Sequence, residues 1–74
     1  MEKYVIFYYE SATNKQYVST IYRNSKSMTT DIGDSIEFYD SETALKIRDY
    51  LNKREGTTKY KVNCIKTTVE EVTE

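Results

Sequence analysis

One stretch of the chain, FYDSETALKIRDYLNKREG (residues 38–56), has a marked helical start and a marked helical stop, and it sets what the rest can be. Asp40 is placed to cap the helix, and Glu42 falls in the first turn, where the positive end of the helix dipole favours it. Ala44, Ile47 and Leu51 recur at three and four residues, with Leu45 and Tyr50 beside them and charges filling the other side. Lys53 and Arg54 fall in the last turn, and Gly56 suits a left-handed position just past it. The spacing predicts a helix over 41–55. One amphipathic helix covers one face of a sheet, so the expected architecture is a two-layer α+β domain.

The sheet is expected from four runs. KYVIFYY (3–9) is β-branched and aromatic throughout, and QYVSTIYR (16–23) alternates, so the two form a hairpin across the turn-prone ESATNK (10–15). SIEFY (35–39) alternates and leads into the helix, and KYKVNCIKT (59–67) follows it as a last strand. Between them NSKSMTTDIGD (24–34) reads as an irregular loop, longer than the usual connection of about 4–6 residues and so either mobile or used. The acidic end, 67–74, either extends the last strand or frays. The predicted order is β-β-β-α-β, an antiparallel sheet of three to four strands in one domain spanning 1–74. The expected core is Val5, Phe7, Val18, Ile36, Phe38, Ala44, Ile47, Leu51, Val62 and Cys64. Alternation then leaves Tyr4, Ile6, Tyr8, Tyr17 and Ile21 on the uncovered face. A slip of one residue would exchange the two sides.

With one cysteine and no histidine, the chain has neither a disulfide nor a zinc staple of its own, and Cys-His or Ser-His catalysis in its usual form is excluded. Cys64 reads as a small core hydrophobe. The two glycines, Gly33 and Gly56, read as turn and cap residues, with no glycine-rich phosphate loop. Asp31, Asp34 and Glu37 lie close in sequence, but carboxylates in a polar loop are ordinarily just solvated. A histidine-free nuclease is chemically conceivable, yet no spacing points to one. No enzyme, cofactor or metal site is expected. The apolar run at the start falls short of the roughly 18 residues of a spanning helix and of a signal peptide, so a soluble, cytoplasmic protein that avoids membranes is expected.

Charge is uneven. Residues 46–66 hold seven Lys/Arg against two Asp/Glu, a local +5 inside a chain of net −1. Lys46, Arg48, Lys53, Arg54, Lys59 and Lys61 thus offer phosphate neutralisation beside tyrosines, the elements of a nucleic-acid site. The competing reading is that these lysines keep a helix and an edge strand soluble. Eight tyrosines and no tryptophan favour a different surface. Tyrosine supplies rigid amphipathic contact area at interfaces, and Tyr4, Tyr8, Tyr17 and Tyr22 are the expected contacts, with Arg23 and the loop 24–34 next. The partner is either another protein or a second copy of the chain.

The order of an aromatic, a cap and an alanine four residues after it, in FYDSETALKIRDYLNKREG behind a short hairpin and an IEF strand, resembles small accessory proteins of phages of low-GC Gram-positive hosts. The likeness spans residues 3–66. It implies a stoichiometric binder of a host protein, in a group that includes inhibitors of host defence and anti-CRISPR proteins, acting in the cytoplasm of the infected cell. No functional residues carry over from it.

Overall fold

A computed structural model describes residues 2–66. The elements are β1 (Glu2–Ser11), β2 (Asn14–Ile21), β3 (Lys26–Thr29), a 3-10 turn (Ile32–Asp34), α1 (Ser41–Glu55) and β4 (Lys61–Lys66). One antiparallel four-stranded sheet, ordered β3-β2-β1-β4, carries the single helix on one face, which is the α+β architecture expected. The acidic end 67–74, including the last residue of the predicted final strand, lies outside the described residues.

The helix has the bounds its caps dictate. Asp40 accepts the backbone N–H of Glu42 and Thr43 and, at 2.8 Å, the Thr43 hydroxyl. The Thr43 contacts lead in holding its carboxyl below the usual aspartate range. At the other end Gly56 adopts φ 64°, and its N–H donates to the Lys53 carbonyl while Thr57 N–H donates to that of Asn52. This paired closure needs a left-handed residue, which glycine adopts without steric cost.

The third strand differs from expectation. Lys26–Thr29, inside the predicted loop, pairs with β2, whereas 35–39 makes only an isolated bridge between Phe38 and Tyr4. Backbone demand accounts for the exchange. β1 and β2 pair from Phe7 to Ser11 and then part, and 36–38 fills the gap: Ile36 N–H donates to Val18 C=O, and Phe38 exchanges two hydrogen bonds with Tyr4. A polar edge strand such as KSMT shows no apolar alternation of its own because the two residues it turns inward are Met28 and Lys26, and the lysine does so only through Glu55 and the Tyr60 ring.

The two faces of β1 are also exchanged. Ile6, Val18, Leu51 and Tyr60 form the buried core, with Tyr8, Ile21, Met28, Ile36, Phe38, Ile47 and Val62 packed around it. Tyr4, Ile6 and Tyr8 therefore face the helix side, while Val5 and Phe7 are buried on the opposite face among their strand neighbours. In VIFYY every residue is apolar or aromatic, so composition gives no sign to the alternation, and pairing with Val62 and Val18 decides it. A register shift between Val18 and Thr20 then puts Ile21 on the same side as Val18. Cys64 lies on the helix side of the sheet, as expected, but it shares that side with Tyr4, which was expected on the other face, and beyond the cover of the helix it is exposed rather than core.

Candidate functional site

Beneath the helix, polar chemistry is closed. Tyr60 is 1% exposed, and its hydroxyl donates to both oxygens of Glu55 at 2.7 and 2.9 Å. The same carboxylate takes an ion pair from Lys26 at 2.9 Å. Burial, reinforced by the Glu55 hydrogen bond, pushes the Tyr60 phenol up to about 12. Burial alone would lower Lys26 and raise Glu55, but their bonds to each other and to Tyr60 outweigh it, leaving the lysine above and the glutamate below their ordinary values. Asn52 locks the strand entry by accepting Tyr60 N–H and donating to its carbonyl. Every group in this triad has its partner.

Two surfaces are left open. The first lies where α1 ends. Arg54 donates through its guanidinium to the carbonyls of Tyr22 (2.9 Å), Arg23 (3.2 Å) and Ser25 (3.1 Å), fastening the β2–β3 turn to the helix. It also lies 5.3 Å from the Tyr50 ring centroid. Tyr22, whose carbonyl the clasp holds, is 51% exposed, and Tyr50, whose ring lies against the guanidinium, 48%.

The second is the sheet face that no helix covers. One row crosses all four strands as Lys61, Phe7, Tyr17 and Thr29, and Tyr9 pairs with Lys15 in the next. Phe7 stands edge-on to Tyr9 at 5.8 Å and tilted to Tyr17 at 6.5 Å. The Lys15 ammonium sits over all three rings, 4.1 Å from Phe7, 5.2 Å from Tyr17 and 5.8 Å from Tyr9. Tyr9 is 57% exposed; Phe7, under the lysine, is 9%.

The expected contact residues are thereby separated. Tyr4 and Tyr8 face the helix side, where Tyr8 packs edge-on against Tyr60 with Lys59 4.3 Å above its ring. Tyr17 lies on the open face, and Tyr22 and Arg23 belong to the helix-end patch. The basic residues are likewise spread over several surfaces. Lys46 pairs with Glu42 and Arg48 with Asp49 along the helix. Lys53 is exposed in the last turn, Arg54 is engaged by carbonyls, Lys59 covers Tyr8, and only Lys61 reaches the open face. Of the loop carboxylates, Asp31 accepts Gly33 N–H, Glu37 pairs with Lys3, and no metal-holding group of side chains exists among the described residues.

Tyr60 belongs to the core although it lies outside the expected set, and its shared parity with Val62 is the signal in the sequence that points there. Tyr9 and Lys15 carry no signal of their own in the sequence, and Tyr50 reads there only as a neighbour of the apolar helix positions. Their meeting depends on strand register and on where the β2–β3 turn docks, neither of which is local.

Fold and surfaces together define a two-layer α+β domain with a closed polar triad on one side of its sheet and an aromatic–lysine cluster on the other. Comparison with protein-family models, curated proteins and solved structures finds no match. No helix among the described residues is long and apolar enough to cross a membrane.

Proposed function

We propose that the protein is a non-enzymatic interaction module that acts by occupying a surface on a partner protein, through the patch of Tyr22, Tyr50 and Arg54. The observation that supports this reading is the clasp itself: a guanidinium fixed by three carbonyls, one of them that of the exposed Tyr22, with the exposed Tyr50 ring against it. Tyrosine and arginine dominate interface hot spots, and groups ordered before binding lose less entropy on binding. Arg23, exposed at the same turn, adds a cation that has no ion pair among the described residues. On the resemblance to phage accessory proteins, the partner in this proposal is a host protein, such as a host-defence nuclease, and the protein its phage-encoded inhibitor.

The test is retention from nuclease-treated lysate of a low-GC Gram-positive host at low and high salt. One host protein held in near-equimolar amount at high salt by the wild type and by Tyr9→Leu, but lost with Tyr22→Ala/Tyr50→Ala, is the expected result. Equal retention by all three, or retention of nucleic acid alone, overturns the assignment.

A further inference from the structure

We infer that the open face of the sheet is a site for single-stranded RNA, with Tyr9 and Tyr17 as stacking platforms and Lys15 and Lys61 as phosphate contacts. The inference uses a different surface from the Tyr22–Tyr50 patch and does not rest on the reading above.

Charge comes first. Neither Lys15 nor Lys61 has a carboxylate within ion-pairing distance among the described residues, and the glutamate on this face, Glu37, is engaged by Lys3 at 3.1 Å and by the Tyr39 hydroxyl. Among the described residues the face therefore presents positive charge without an ion-pair partner, although the whole chain has net charge −1. An anionic ligand complements it.

Geometry selects which anion. The Lys15 ammonium is shared by the rings of Tyr9 and Tyr17, 5.8 and 5.2 Å from their centroids. One cation shared by two aromatic platforms suits a dinucleotide step, with a base on each ring once the flexible lysine swings to the linking phosphate. Phe7, almost wholly covered, forms the floor and holds the tyrosines apart. Lys61 lies across Phe7 in the same row, positioned for the next phosphate along. A duplex hides its bases from such rings, so the ligand is single-stranded. Asn63 shares this face beside Val5, and its side-chain amide can bond a ribose 2′-hydroxyl, which deoxyribose lacks.

The experiment is fluorescence anisotropy of a dye-labelled oligouridine about a dozen bases long, within the site sizes usual for such surfaces, titrated with the full chain between about 50 and 200 mM salt. Expected are binding whose log–log salt slope is about −1.4, two lysines contributing about 0.7 each, and weaker affinity for oligothymidine of equal length. Tyr9→Leu, at an exposed ring, should weaken binding about 10-fold or more. Lys15→Gln/Lys61→Gln should bring the slope towards zero. Absence of binding at low salt, unchanged affinity in Tyr9→Leu, equal affinity for oligothymidine, or equal displacement by a duplex or a poly-glutamate peptide would each overturn the inference. Tyr17→Leu, at a half-buried ring, is read only alongside a urea melt matching the wild type, and Tyr9→Leu decides the matter where it does not match.

Discussion

Lys26 and Lys15 are both lysines of the β-sheet seated over aromatic rings, on opposite faces. Lys26 lies 5.5 Å from the Tyr60 ring centroid and is tied to Glu55, which is in turn tied to the Tyr60 hydroxyl. Lys15 lies 4.1 Å from the Phe7 centroid with no carboxylate in reach among the described residues. The same residue type over the same kind of ring is therefore closed in one place and open in the other. What differs is the helix: it brings Glu55 over one face of the sheet and nothing over the other. A satisfied lysine fixes the fold, and an unsatisfied one remains available to a ligand.

The comparison breaks most forcefully at Tyr60. Tyr60→Ala empties a buried aromatic site at a cost of about 3–5 kcal/mol, which is most of the net stability a core of this size supplies. Urea denaturation should show loss of the cooperative transition, whereas Tyr9→Leu on the open face should leave the midpoint close to wild type. Tyr60→Phe keeps the ring and removes the hydroxyl, which sharpens the contrast through pH. Because the folded phenol is raised to about 12 from an ordinary 10.0, its contribution is complete below pH 10 and is lost as pH climbs from there towards 12. Lys26, also raised, acts in the same direction as pH passes its folded value, while Glu55, lowered from 4.5, gives stability that is present above that value and lost in acid. Stability should thus hold level from about pH 5 to 10 and fall on both sides. In Tyr60→Phe the alkaline fall should shrink; an unchanged alkaline limb in thermal melts would detach the hydroxyl from the triad.

What the sequence made legible follows the same division. The helix was readable to the residue because Asp40 and Gly56 act on backbone groups within a few residues of themselves. The hairpin was readable because the turn-prone ESATNK (10–15) separates two runs of strand-forming residues, although both strands extend into it and leave only Ala12 and Thr13 as the turn. The third strand was not legible, since KSMT forms by pairing with β2 and has no pattern of its own. Nor was the sign of β1's alternation, because VIFYY offers an apolar residue to either side. That one ambiguity governs the candidate site: it moves Tyr4 and Tyr8 towards the helix, leaves Tyr17 on the open face, and brings Tyr9 and Lys15 into view. Chemistry set by caps is local and can be read; chemistry set by register needs the partner strand.

The smallest effect is the most discriminating. Lys26→Gln leaves the Glu55 carboxylate, whose side chain is only 25% exposed, without its cation, and should cost about 1–2 kcal/mol. Lys15→Gln removes a cation lying over three rings but strands no charge, and a cation–π contact at an exposed site is worth only about 0.5–1 kcal/mol. Glutamine keeps part of the same cover through its methylenes, so the net loss should fall to about 0.5 kcal/mol or less. Parallel urea titrations of the two variants decide the matter. A clear gap between them marks Lys26 as a stabilising residue and leaves Lys15 held on the surface for something other than stability. Equal and sizeable losses would mean that the open-face cluster is a second small core with Lys15 as its lid, and the reason for treating that face as a binding surface would disappear with the gap.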